Sequence, residues 1–262
     1  MDLGLSKRVA LVCGASRGIG YAVAEELGRE GAQLAICARD AKAVAAAAMR
    51  LEKAGATVLP IVADLSTSEG VSVAVAKALE RYGRVDILVT NTGGPAPGPS
   101  LSHDWAAWTR AIELLLRSAV ELTRAIVPGM QQRKWGRVVG ITSVAVKKPV
   151  ANLVLSNGIR AAVTGFYRTL ADEVGIDGVT VNTVLPGYVG TERLVELADA
   201  ATKRTGATRE SILESYKSGT PVGRIGTPAE IAAVVAFVAS ERASFITGQA
   251  ILVDGGRAGT LL

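Results

Sequence analysis

The sequence predicts an α/β fold, a doubly wound parallel sheet of seven strands with helices on both faces. Three observations lead there. Short apolar, β-branched runs alternate with helix-length amphipathic stretches along the whole chain. A glycine-rich turn joins the first run to the first helix, as at the start of a βαβ unit. No linker or composition break divides residues 1–262, so they read as one domain.

Arg8–Cys13 is a continuous apolar run, suited to a strand buried on both faces. Residues 19–29 read as a helix and 33–38 as the second strand. A helix over 40–54 and a strand over 57–63 repeat the unit, followed by a helix over 66–82 and a strand over 85–89. Residues 105–132 read as one long helix, because apolar side chains at 105, 108, 112, 115, 119, 122 and 126 form one stripe. Strand five is 137–142, the next helix 153–174 and strand six 179–185. Thr227-Pro228 opens a helix to Ala239, and Ala250–Val253 closes the sheet. The one long non-repeating segment, Tyr188–Arg224, is polar and partly helical. Such a segment suits a cover over the crevice at the strands' carboxyl ends.

Composition removes whole classes of function. Hydrophobic residues are 49% of the chain and charged residues 20%, a globular balance. One histidine leaves no His pair for a metal and no spare base for a Ser-His-Asp hydrolase, so no metal site is expected. Two cysteines make no disulfide scaffold, which points to a cytoplasmic setting. Met1–Arg8 has no apolar core of the kind a signal peptide carries, and no run is long enough to span a bilayer. The net charge of +5 comes from basic residues scattered among acidic ones, so neither a nucleic-acid nor a membrane partner is expected.

The turn Cys13-Gly14-Ala15-Ser16-Arg17-Gly18-Ile19-Gly20 carries the first chemical signal. Glycines there let a backbone approach a pyrophosphate, and the free N–H groups and dipole at a helix start favour its charge. In this context the chain resembles the short-chain dehydrogenase/reductase family, whose TGxxxGIG motif it matches with Cys13 in place of Thr. The resemblance runs nearly end to end. Asp64-Leu65 stands where an adenine-binding pair is usual, and Thr90-Asn91-Thr92-Gly93 where the family has NNAG. Pro186-Gly187 follows strand six, and Ile246-Thr247-Gly248-Gln249 leads to Val253-Asp254-Gly255-Gly256.

The resemblance implies a single-domain Rossmann fold with a dinucleotide along Gly14, Ser16, Arg17, Gly18, Ile19, Gly20, Asp64, Leu65, Asn91, Gly93, Pro186, Gly187, Val189 and Thr191. Strand two ends in Ala38-Arg39 where a carboxylate would select NAD. Arg17 and Arg39 suit a 2′-phosphate through charge-assisted hydrogen bonds, so NADP(H) is expected. The stripe over 105–126 and the helix over 153–174 resemble subunit-packing helices, implying a homotetramer or homodimer.

The match fails at the family's catalytic pair. Ser143 stands where the serine belongs, but the Tyr and Lys of YxxxK are replaced by Ser156 and Arg160. None of the tyrosines at 21, 82, 167, 188 and 216 has a lysine four residues on. The family's helical Asn falls on Leu115, and Asn152 and Asn157 flank Ser156 as possible replacements. Ser156 and Arg160 share one helix face. A serine hydroxyl, with a pKa near water's ~15.7 against ~10 for a phenol, is a poor acid, while Arg160 keeps the charge and could hold ribose hydroxyls.

Three readings remain open at this stage. One is an oxidoreductase acting on a partly apolar carbonyl or alcohol substrate, with its proton from Tyr188, Lys147, Lys148 or water. Another is an NADP(H)-binding protein without chemistry, or a non-catalytic partner subunit. The third is a dehydratase or isomerase on the same fold.

Overall fold

The computed structural model describes residues 2–261. Seven strands form one parallel sheet in the order β3-β2-β1-β4-β5-β6-β7. They are β1 (Val9–Cys13), β2 (Gln33–Ala38), β3 (Val58–Val62), β4 (Ile87–Thr90), β5 (Gly136–Ile141), β6 (Val179–Pro186) and β7 (Ala250–Val253). The order reverses between β1 and β4, which register Ala10 with Ile87 and Val12 with Val89. A crevice opens at that reversal, outside the carboxyl ends of the strands.

Helices pack both faces. α1 (Gly18–Arg29), α2 (Ala41–Lys53) and α9 (Pro228–Val238) bury Val23, Leu27, Val44, Leu51, Ile231 and Val235 on one face. α3 (Ser68–Tyr82), α5 (Ser118–Gln132) and α6 (Val154–Val174) cover the other with Val71, Ala78, Leu122, Ile126 and Val163. Asp40 and Thr67 cap α2 and α3 by accepting the N–H groups of Ala43 and Gly70. Thr227 and Glu230 form a reciprocal capping box on α9.

One feature corrects the sequence expectations and another bears one out in finer detail. The long helix over 105–132 is not uniform: α4 (Trp105–Ile112) passes through a π-helical turn, Glu113–Arg117, into α5. The apolar stripe hides this, because its three-and-four spacing runs on through the widened turn; of the stripe, Leu115, Ala119, Leu122 and Ile126 are buried, whereas Trp105 at its start is exposed. The segment 188–224 contains two full helices, α7 (Glu192–Thr205) and α8 (Arg209–Ser218). Among the described residues no helix is long and apolar enough to cross a membrane, and no cluster of metal-ligating side chains occurs.

Candidate functional site

The glycine turn sits where β1 meets α1. Gly14 and Gly18 both hold φ of +58°, a left-handed conformation that disfavours other residues. A Cβ on Gly20 would lie 2.3 Å from the Gly14 carbonyl oxygen and 2.8 Å from Asn91 Nδ2. Asn91 braces the turn by donating to the Cys13 and Gly14 carbonyls, both at 3.3 Å. Unlike α2 and α3, α1 receives no side-chain cap and has no acidic residue in its first turn. Its leading N–H groups therefore stay open for an anion. The half-buried Ser16 sits in the same turn, and Gly93 borders open space.

Other predicted cofactor residues divide by which part of them can reach a ligand. Leu65 and Val189 bury their side chains in the core and Ile19 packs against it, so these three can offer only backbone. Burial pushes the Asp64 carboxyl up, but the N–H and hydroxyl of Ser66 and the charge of Arg39 outweigh it and hold the group below its ordinary range. Thr191, ahead of α7, packs its methyl beside Gly18, which brings the covering helix onto the turn. Pro186 ends β6, and the Gly187 N–H donates to Val253.

Arg39 is exposed and makes no direct ion pair among the described residues, its charge reaching Asp64 only at longer range. Arg17 does have one: its guanidinium meets Glu192 at the start of α7. Next to it, Arg193 crosses to the opposite wall and donates to the Pro95 carbonyl at 2.7 Å.

Of the predicted catalytic residues, Ser156 and Arg160 meet each other and Arg160 reaches the end of β5, while Ser143 follows β5 and Tyr188 follows β6. Ser143 follows Thr142 directly after β5, and its Oγ accepts the Ala145 N–H at 3.1 Å. Ser156, in the first turn of α6, is 9% exposed, and its Oγ accepts Arg160 Nε–H at 3.2 Å. Arg160 also donates through Nη1 to the carbonyls of Ile141 and Thr142, at 3.0 and 2.9 Å. Its guanidinium thus ties α6 to the end of β5, with no acceptor for Nη2 among the described residues. Burial pulls its pKa down to about 10, with Arg193 adding repulsion, so it stays charged at neutral pH.

A small cleft opens beside Arg160, lined by Thr90, Asn91, Thr92, Leu115, Ser118 and Thr142 among others. Leu115, within the π turn, occupies the place expected for the helical Asn. Thr142 Oγ1 is buried there without a partner, a polar group that sequence reasoning missed. Asn157 spends its amide on both backbone groups of Val150, and Asn152 sits at φ +59° as a turn residue. Neither replaces an Asn in the cleft. Tyr167 is core: its hydroxyl bonds Thr90 Oγ1 at 2.7 Å and its ring lies against Gly140.

Tyr188, the first residue after Pro186-Gly187, stacks on Tyr216 with centroids 4.0 Å apart. Its hydroxyl accepts Arg257 Nη2–H at 2.8 Å. Burial raises its pKa above the ordinary 10.0 despite the opposing charge of Arg257, so the phenol keeps its proton through the neutral range. Lys148 donates to the Arg257 carbonyl at 3.2 Å, linking the loop after Ser143 to this wall. Sequence reasoning passed over Arg257, which lies 69 residues from Tyr188 and reaches it only through the fold.

A parallel sheet with this strand order, an uncapped glycine turn at its switch point and a serine pair at β5 and α6 define a dinucleotide-binding oxidoreductase scaffold. The chain belongs to the short-chain dehydrogenase/reductase family. A family model described as enoyl-(acyl carrier protein) reductase matches residues 14–258. The short-chain reductase protein NovJ of Streptomyces niveus is 36% identical over 249 residues, covering 95% of this chain and 93% of that protein. The 3-oxoacyl-[acyl-carrier-protein] reductase FabG of Pseudomonas aeruginosa is 35% identical over 254 residues, 97% and 98% of the two chains. The structure of L-sorbose reductase from Gluconobacter frateurii, complexed with NADPH and L-sorbose, superposes with a TM-score of 0.94 at 36% identity, covering 100% of both chains. Actinorhodin polyketide ketoreductase with NADPH gives 0.94 at 31% identity, covering 97% and 98%.

Proposed function

We propose that the protein is an NADP(H)-dependent oxidoreductase that reduces a carbonyl, or oxidises the corresponding alcohol, without a Tyr–Lys pair. The observation that carries this reading is the hydrogen-bond direction at the two serines. Each Oγ accepts an N–H, Ser143 from Ala145 and Ser156 from Arg160, so each keeps its own hydroxyl proton to donate. Two such donors suit one carbonyl oxygen.

The residues of the cradle fit the cofactor. Gly14, Gly18 and Gly20 allow close backbone approach, the open N–H groups of α1 face the pyrophosphate, and Arg17 and Arg39 supply charge for a 2′-phosphate. When bound, the nicotinamide supplies or accepts the hydride. The protein's part is to hold the substrate oxygen between Ser143 and Ser156. Negative charge developing on that oxygen is opposed by Arg160 through the Ser156 hydroxyl. The final proton comes from Tyr188, whose oxygen is held by Arg257 while its own hydrogen stays free, with Lys147 and Lys148 as the other nearby donors. α7 and α8 cover the site, and the exposed Trp105 and α6 surfaces serve a homodimer or homotetramer in the cytoplasm.

Support for NADP(H) comes from the similarity to reductases solved with NADPH and from the missing carboxylate after β2. NADPH titration followed by a turnover screen with carbonyl compounds tests the reading. Saturable binding with turnover is expected. Tight binding with no turnover across the panel would instead favour a binding-only protein, the reading suited by an Arg160 occupied with β5 carbonyls.

Arg39→Ala is expected to weaken NADPH about tenfold while leaving NADH within about twofold, a loss of roughly 1.4 kcal/mol specific to the 2′-phosphate. Fluorescence titration with both nucleotides reads this directly, and equal losses would refute the assignment. Tyr188→Phe is expected to lower reduction about 10²-fold, the lower end of general-acid contributions. In the parent protein the rate should hold through the neutral range and fall only toward pH 10 and beyond, where Arg160 loses its charge and then the phenol, with its raised pKa, its proton. If the variant keeps the parent rate and pH profile, Tyr188 is not the donor.

A further inference from the structure

Arg257 is held as though for a ligand that the established scaffold does not explain. Its Nη2 donates to Tyr188 Oη at 2.8 Å and its Nη1 to the Gly219 carbonyl at 3.3 Å. The guanidinium carbon lies 3.9 Å from the centre of the Tyr188 ring, which is itself stacked on Tyr216. Two hydrogen bonds and one aromatic face fix the fork, while three of its five N–H groups have no acceptor among the described residues.

Charge on this wall is one-sided. Among the described residues, Arg257, Lys147 and Lys148 belong to no ion pair, although fourteen ion pairs occur elsewhere in the protein. Asp254, the acid close by in sequence, turns both carboxylate oxygens onto the N–H groups of Gly256 and Ala258. A guanidinium fork fixed in place and left without a carboxylate of its own is suited to take one, or a phosphate, from a ligand.

The wall borders the reacting centre. Tyr188 follows β6 and Ser143 follows β5, neighbouring strands that pair up to Ile141 and Val184. Lys148, five residues after Ser143, bonds the Arg257 carbonyl and closes the corner between them.

We propose that the crevice takes a carbonyl substrate bearing an anionic group, a carboxylate or a phosphate, which docks on the free N–H groups of Arg257 with Lys148 beside it. Tyr188 and Tyr216 pre-orient the fork, so little conformational freedom is lost on binding. A planar bidentate guanidinium contact distinguishes such a substrate from its ester or its unphosphorylated counterpart. This rests on the oxidoreductase reading above and narrows its substrate class.

The test uses the NADPH complex and two matched pairs, acetoacetate with ethyl acetoacetate and dihydroxyacetone phosphate with dihydroxyacetone. Calorimetric binding and kcat/KM are measured for the parent, Arg257→Gln and Arg257→Lys, with thermal melts to establish folding. The expected result is at least tenfold preference for the anionic member of one pair, carried by Kd and KM. That preference should fall to about twofold or less in Arg257→Gln and return in part in Arg257→Lys. Whichever pair shows the preference identifies the source of the charge. Equal binding within both pairs, or a preference untouched in Arg257→Gln, overturns the proposal. Anion-selective binding without turnover would leave it standing and refute the oxidoreductase reading instead. If Arg257→Gln fails to fold, the parent's preference and Arg257→Lys still decide the matter: no preference in the parent refutes it.

Discussion

Gly20→Ala is expected to abolish measurable NADPH binding, a loss of at least about 100-fold, or 2.7 kcal/mol by the usual tenfold-per-1.4 conversion. The added methyl would meet the Gly14 carbonyl oxygen at 2.3 Å, a backbone atom that can retreat only by opening the turn. Asn91 Nδ2, at 2.8 Å, blocks the other escape and holds the Cys13 and Gly14 carbonyls in place. Since the same turn presents the open N–H groups of α1, any rearrangement displaces the phosphate seat itself. A stability cost of about 1–3 kcal/mol accompanies it, typical of overpacking. Gly175→Ala, just beyond the end of α6 in a right-handed helical conformation (φ −58°, ψ −38°) with nothing within 4 Å, is the matched control. It should keep NADPH affinity and add about 0.5–1 kcal/mol by helix propensity. Nucleotide titration and melting curves separate the two, and Gly20→Ala with parent affinity would refute the placement of the pyrophosphate.

Ser156→Ala is expected to lower kcat for carbonyl reduction by about 10²–10³, the range seen when one donor to a developing oxyanion is removed. The change deletes the hydroxyl and leaves Arg160 Nε without its acceptor, while Nη1 stays anchored to Ile141 and Thr142. Because the lost bond strengthens as charge develops on the substrate oxygen, kcat should fall more than KM rises. NADPH affinity should change little. A kcat within threefold of the parent would remove Ser156 from the reaction and leave Ser143 as the sole donor.

Much of the fold and part of the site were legible in the sequence, for reasons that differ by residue. Buried parallel strands need continuous apolar runs, so Val9–Cys13 and Val179–Pro186 stand out without any tertiary information. That Ser156 and Arg160 stand four residues apart on one helix, with no Tyr and Lys at that spacing, was equally plain, because the test is local spacing. The π turn at Glu113–Arg117 was hidden because a wider turn changes hydrogen bonding without interrupting the apolar pattern. Arg160 reaching back to the β5 carbonyls, Thr142 Oγ1 lacking a partner and Arg257 standing over Tyr188 all depend on strands meeting at the crevice. None of them leaves a periodic trace.

The pairing of Arg17 with Glu192 has a consequence for how charge is balanced along the groove. On the proposed seat, a phosphate reaching Arg17 would not neutralise a bare cation but would take over one already matched, so cofactor entry there would be a counter-ion exchange. The displaced carboxylate does not become a burden. Glu192 is the first residue of α7, where the helix dipole favours a negative charge even without a guanidinium beside it. Both members of the pair are exposed, so the bond given up is worth at most about 1 kcal/mol. The helix that covers the groove is therefore tethered to the glycine turn by a bond weak enough to be swapped at little net cost.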